Sequence, residues 1–180
     1  MLPIADPVLP LLSTELPVGR NWRYELKLNG FRGMLYADGG SATFRSKTKR
    51  PMPRFDELAV RIAAELDVRD AVLDGEIVVM GARGPEFNAL LFNRGVPQFA
   101  AFDLVWLNGC DLRAWPYERR KGALKRLVRR STPSSSIYMW TTSRRSTRSW
   151  PRQACAAATS RTRSTPSAAS SASSIPTATR

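Results

Sequence analysis

The sequence predicts an α+β fold, with antiparallel strands packed against helices, and three observations carry that reading. Two glycine turns stand close together, Asn29-Gly30 and Asp38-Gly39-Gly40, with strand-like runs on either side. A helical apolar stripe follows at residues 54–66. A strongly apolar run at 98–107 ends at a further Asn-Gly turn, Asn108-Gly109, ahead of a basic helical segment.

Taken in order, residues 1–21 are proline-rich and are expected to run extended over the surface. Residues 22–32 (WRYELKLNGFR) read as a strand entering the Asn29-Gly30 turn. Alternation puts Trp22, Tyr24 and Leu26 on one face and Arg23, Glu25 and Lys27 on the other. A lysine placed there suits a nucleophile, and it equally suits an exposed strand lysine before a hairpin. The next strands are expected at 31–36 and 42–46, giving an antiparallel meander. Residues 46–53 (SKTKRPMP) form a basic loop. In the helix at 54–66, Phe55, Leu58, Ala59, Ile62, Ala63 and Leu66 recur on one face as core, and Pro53 suits its first turn.

Residues 71–80 (AVLDGEIVVM) read as a strand interrupted by Asp74-Gly75-Glu76. Asp74 and Glu76 share a face with Val72 and Val78, and two carboxylates among apolar neighbours need a partner when buried. That face suits a polar ligand or cation, and it also suits a solvated edge. In the run 98–107, alternation groups Ala100, Phe102, Leu104 and Trp106 against Asp103. Pro116 then opens a basic helix to about residue 130, with Leu124, Leu127 and Val128 inward.

The chain carries 28 basic and 15 acidic residues, a net +13 that favours a polyanionic partner. The excess is uneven: all acids lie at or before Glu118, and residues 131–180 hold seven arginines with neither lysine nor acid. Those residues are rich in Ser, Thr, Ala and Arg, a composition too poor in apolar side chains to offset ordering, so a disordered tail is expected over 131–180. The absence of histidine excludes His-based triads and His-ligated zinc. Cys110 and Cys155 are too few for a disulfide framework. No leader pattern or membrane-spanning apolar run is present, so a soluble, cytoplasmic, monomeric protein is expected.

The order ELKLNGFR, Ser46-Lys47, LDGEIV and FAAFDLVWLNG resembles the nucleotidyltransferase domain of ATP-dependent DNA ligases, most of all bacterial ligases of the end-joining type. The family's E-x-K-x-D-G-x-R motif is matched by Glu25, Lys27, Gly30 and Arg32; LDGE is matched at Leu73 to Glu76, and its Phe-Asp strand at Phe102 and Asp103. DLRAWPYERRKGAL also looks like the family's continuation. The resemblance implies a ligase-type, ATP-grasp-like nucleotidyltransferase fold over residues 1–130, incomplete at its C-terminal end. It implies that Lys27 attacks the α-phosphate of ATP and holds AMP as a phosphoramidate. A free lysine, with a pKa of about 10.4, must first lose its proton.

By the same resemblance Glu25 lines the adenine pocket, Arg32 holds ribose or phosphate, Glu76 binds ribose or Mg²⁺, and Phe102 stacks on adenine. Lys47 stands in the nucleotide-binding Ser-Arg position. The implied cofactors are ATP and Mg²⁺, and the implied partner is nicked or broken double-stranded DNA. Three departures stand out. Asn29 replaces the family's Asp, and Lys47 replaces Arg, losing its fork. The closing Glu-Gly-x-Val-x-Lys and Lys-x-Lys strands have no counterpart after Lys125, so the sequence reads as a truncated ligase domain.

Translated back and shifted by two bases, Tyr138-Met139-Trp140-Thr141-Thr142 permits Tyr-Val-Asp-His, similar to the family's sequence before that Glu-Gly strand. The tail is therefore expected to be out of frame, the alternative being a genuine Arg/Ser-rich nucleic-acid-binding segment. Two other readings of the whole stay open: a capping-type guanylyltransferase, which would accept GTP, and a non-catalytic basic DNA-binding remnant.

Overall fold

In a computed structural model of the chain, which describes residues 2–7, 12–15, 17–19, 22–25, 27–129 and 136–139, the first regular element is a hairpin. Strands β1 (Phe31–Asp38) and β2 (Ser41–Ser46) close on Asp38 opposite Ser41. Gly39 and Gly40 between them have φ of 57° and 85°, the left-handed pair that a two-residue turn of this twist requires. A 3-10 turn at Pro53–Phe55 leads into α1 (Asp56–Glu65), and then come β3 (Asp70–Gly81), the short β4 (Gly84–Pro85) and α2 (Phe87–Leu91). β5 (Pro97–Leu107) turns through Asn108-Gly109 into β6 (Cys110–Asp111), followed by α3 (Tyr117–Arg129) and β7 (Ile137–Met139). The sheet runs β2-β1-β3-β5-β6 with antiparallel neighbours; β4 pairs with β3, and β7 lies parallel to β5. This is the expected α+β architecture of antiparallel strands and packing helices.

The two faces of the sheet are chemically different. One carries Leu35, Leu73, Ile77 and Phe99, all fully buried, with Phe44 of β2 edge-on to Phe99 at 5.0 Å. Helix α1 packs over β2 and buries Leu58, Ala59, Ile62 and Ala63, as its apolar stripe predicts. Glycine makes this face possible at Gly75, where an added Cβ would lie 2.5 Å from the Phe99 ring and 2.6 Å from the Ala100 carbonyl oxygen. The other face holds two small apolar clusters. Met34, Tyr36, Val72 and Val105 gather around Ala5, and Leu28, Val78 and Ala100 form the second. Along β3 the sequence Val72, Asp74, Glu76, Val78 therefore places a polar strip between two apolar patches.

Three expectations need correction. Residues 22–25 and 27–29 have no regular structure, so the strand expected at 22–32 begins only at Phe31. Asn29-Gly30 is an entry into β1 and not a hairpin turn. Its glycine is required by crowding, since a Cβ on Gly30 would come within 2.2 Å of the Ile77 carbonyl oxygen. Next, β3 is continuous, and the irregularity lies in its pairing with β5. Val72 faces Trp106 but Leu73 faces Leu104, and Asp74 faces Asp103 but Gly75 faces Ala101. Val105 and Phe102 are the extra residues, so β5 does not keep a single alternation. Leu104 goes to the Leu73 side, and Val105 joins the Met34 cluster.

The third correction concerns the tail. Strand β7 lies inside the segment 131–180, and Ile137 is fully buried. The Phe99 N–H donates to the Ser136 carbonyl at 2.8 Å, and the Ser136 N–H donates to Glu65 Oε1 at 3.0 Å. Composition averaged over the tail hides this short apolar run. The readings of disorder and of a shifted frame otherwise lie outside the described residues. No described helix is long and apolar enough to cross a membrane.

Because the Gly75 Cβ position is filled by a ring and a carbonyl, Gly75→Ala is expected to cost about 1–3 kcal/mol, an overpacking penalty. Urea denaturation should show the midpoint falling with an unchanged slope.

Candidate active site

The polar strip is built from the first residues of β1 and the middle of β3. Register places Arg32 opposite Glu76 and Met34 opposite Asp74. Asp74 is 1% exposed, a position where a carboxylate requires a charged partner. Arg32 meets it with two parallel bonds, Nε to Oδ1 at 2.6 Å and Nη2 to Oδ2 at 2.7 Å. The same guanidinium lies 4.3 Å from the centroid of the Phe102 ring. Ala100 faces Glu76, so alternation carries Phe102 to the same face, and the bulge there lets Leu104 return to the core. Asp103, paired across from Asp74, has its own cation: Arg120 of α3 donates from Nε and Nη2 to its two oxygens at 2.9 and 3.0 Å.

Glu76 accepts the Gly30 N–H on Oε1 at 3.1 Å, which ties the acid of β3 to the backbone just before β1. Burial pushes the Glu76 carboxyl above its ordinary value, and the nearby Asp74 charge pushes the same way. Arg32, the Gly30 N–H and Lys27 pull against them, and burial prevails. Lys27 itself is exposed and makes no hydrogen bond or ion pair among the described residues; it interacts with Glu76 through its charge.

Glu25 is held from the opposite side by α3. Tyr117 donates its hydroxyl to Glu25 Oε1 at 2.6 Å, and the Lys121 ammonium contacts the same oxygen. Burial first, and the bond to Glu25 second, push the Tyr117 phenol well above its ordinary value, so it remains a donor. At the next residue of α3, Glu118 Oε1 accepts from Arg23 Nε at 2.6 Å.

The structure thus brings Arg32, Glu76 and Phe102 to one face of the sheet, with Lys27 in the field of Glu76. Glu25 is anchored on α3. Lys47 is exposed in the turn after β2, with no hydrogen bond or ion pair to the others among the described residues. The sequence reading assigned no role to Asp74 as the partner of Arg32, to the pair Asp103–Arg120, or to Tyr117 and Lys121. A signal for the first was present, since two carboxylates on an apolar face demand cations. No sequence signal pairs α3 with residues 23–25, because those contacts span more than ninety positions.

No group of three acidic, histidine or cysteine ligands occurs among the described residues. Both Asp74 oxygens are engaged by Arg32, and Glu76 Oε1 by Gly30, which leaves Glu76 Oε2 as an oxygen donor. One carboxylate oxygen suits Mg²⁺ delivered on nucleotide phosphates, which keeps most of its ligands from phosphate and water. Arg32 covers one face of Phe102, so a base stacking on that ring either displaces the guanidinium or takes the other face.

Residues 14–150 match the family model described as the ATP dependent DNA ligase domain. DNA ligase C of Mycobacterium tuberculosis is 36% identical over 140 residues, covering 68% of this chain and 38% of that protein. DNA ligase C2 of Mycolicibacterium smegmatis is 32% identical over 166 residues, covering 83% of this chain and 46% of that protein. Among solved structures, the ligase domain of LigD from M. tuberculosis is 33% identical with a TM-score of 0.52, covering 63% of this chain and 37% of that one. The chain spans less than half the length of each of these relatives.

The raised Glu76 carboxyl sets a pH dependence. Folding favours its protonated form, so Glu76 subtracts stability as pH rises from its ordinary value of 4.5 through the raised one. Glu76→Gln keeps an acceptor for the Gly30 N–H. It is expected to raise the melting temperature relative to the parent at pH 7 and to leave it unchanged at pH 4, as thermal scans at the two pH values will show.

Proposed function

The chain belongs to the ATP-dependent DNA ligase domain family, and from that premise we propose that Lys27 is the nucleophile in the first step of sealing nicked or broken double-stranded DNA. Its neutral amine attacks the α-phosphate of ATP. The N–P bond forms as the bond from that phosphorus to the pyrophosphate oxygen breaks, a proton leaves the nitrogen, and AMP stays on Lys27 as a phosphoramidate. AMP then passes to a DNA 5′-phosphate, and a 3′-hydroxyl displaces it to close the backbone. The observation that carries this reading is the position of Lys27, exposed and without an ion pair among the described residues, in the field of Glu76, whose face also gathers Arg32 and Phe102.

In this reading Phe102 lies beneath the adenine, Glu25 borders it, and Arg32 meets ribose or phosphate. Glu76 would hold Mg²⁺ or the ribose, and Lys47 reaches the phosphates from the turn after β2. Mg²⁺ would contribute charge neutralisation on the phosphates. Activation of the amine is the demanding part. Arg32 and Lys121 are each paired with a carboxylate, so neither adds net positive charge to the site. The family's closing lysines have no counterpart in this sequence after Lys125.

Incubation with α-labelled ATP and Mg²⁺ is therefore expected to give little label on the protein, all of it acid-labile and absent from Lys27→Ala. Label that persists in Lys27→Ala rejects the assignment, and stoichiometric label in the parent shows that the closing lysines are dispensable. ATP binding, measured by calorimetry, should weaken about tenfold in Phe102→Ala, the cost of a lost base stack.

A further inference from the structure

Residues 23–25, which lead into the nucleophile, have no ladder of backbone bonds to hold them. Their described side-chain contacts run largely to the first two turns of α3: Arg23 to Glu118, and Glu25 to Tyr117 and Lys121. Lys121 is 8% exposed, and an ammonium buried to that degree is held where a carboxylate compensates it. It also lies 5.4 Å from the centroid of the Tyr117 ring, so the three groups form one cluster.

The distribution of these contacts is one-sided. Both Tyr117 and Lys121 engage Glu25 Oε1, and no described group bonds Oε2. A carboxylate fixed by one oxygen presents the other as a pure acceptor in a set direction. From this geometry we infer that Tyr117 and Lys121 are positioning residues that hold Glu25 so that Oε2 selects an adenine over a guanine base. The inference rests on the reading that Glu25 borders the nucleotide base, and it adds the source of selectivity. Adenine turns an exocyclic N–H₂ donor toward such an oxygen. Guanine carries a carbonyl oxygen at the same ring position, and two acceptors repel. An untethered Glu25 can swing to meet the N–H groups of guanine instead, so selectivity requires the tether and not the carboxylate alone.

The test uses the full chain as the parent, Tyr117→Phe, Lys121→Met and Lys121→Arg, with affinities for ATP and GTP measured by calorimetry. Loss of one charge-assisted contact is expected to weaken ATP binding about tenfold in Tyr117→Phe and Lys121→Met, with GTP binding held or strengthened. The ATP preference then falls by at least the same factor, and Lys121→Arg restores it. Amide exchange provides a second readout: peptides covering 22–27 should exchange faster in the two weakened variants while those covering β3 do not change. Variants that keep the parent's preference overturn the role of Tyr117 and Lys121 alone. Equal loss for both nucleotides, with faster exchange in β3, also overturns it by showing a folding defect. A parent that binds neither nucleotide rejects the underlying adenine reading, and the selectivity role with it.

Discussion

The site depends on the neutralisation of one carboxylate. Asp74 sits in the middle of the central strand, almost wholly out of water, where an unpaired charge would be too costly to keep. The bidentate pair with Arg32 solves this and in doing so fixes the direction of the arginine, since a planar fork bonded twice has little freedom left. Everything on that face follows from the arrangement. The guanidinium is carried over Phe102, Glu76 is left facing Lys27, and the strip stays polar between two apolar clusters. The neighbouring Asp103 repeats the device with Arg120, which couples the sheet to α3 at the same level.

Two irregularities in the β3–β5 pairing shape this face around Phe102. A strict alternation in β5 would keep Phe102 in step with Leu104, a side chain that belongs to the core. The bulge at Phe102 breaks that step, so a ring reaches the polar strip without pulling Leu104 out of the interior. Close approach of β1 to β3 at Gly30, and of β3 to β5 at Gly75, depends on missing side chains at both places. The sheet is thus shaped at the residues that border the site.

The segment that carries Lys27 is organised on a different principle. It has no strand partner among the described residues, and α3 holds it through side chains. A loop fixed this way can be retuned by single changes on a neighbouring helix. The same helix secures Asp103, so α3 links the placement of Phe102, the neighbour of Asp103, to that of the segment before Lys27.

Much of this was legible in the sequence. The Asp38-Gly39-Gly40 hairpin, the α1 stripe and the Asn108-Gly109 turn are local, and each is written in neighbouring residues whose φ preferences and spacing act over a few positions. The ordered motifs around Lys27, Glu76 and Phe102 identified the family for the same reason: chemistry-bearing residues keep their order. What the sequence could not determine is long-range. A strand pattern at 22–32 carries no information on whether another strand is available to pair with it, and among the described residues only Phe31 and Arg32 find one, in β3. The bulges in β5 depend on register with β3, and the short run 137–139 becomes a strand only because β5 offers an edge and α1 offers Glu65. Nor could it show that Asp74 takes Arg32, or that Glu25 rests on α3. Sequence alone determined which residues were available for chemistry. Tertiary structure decided their partners, because burial and charge pairing are settled by what arrives from distant parts of the chain.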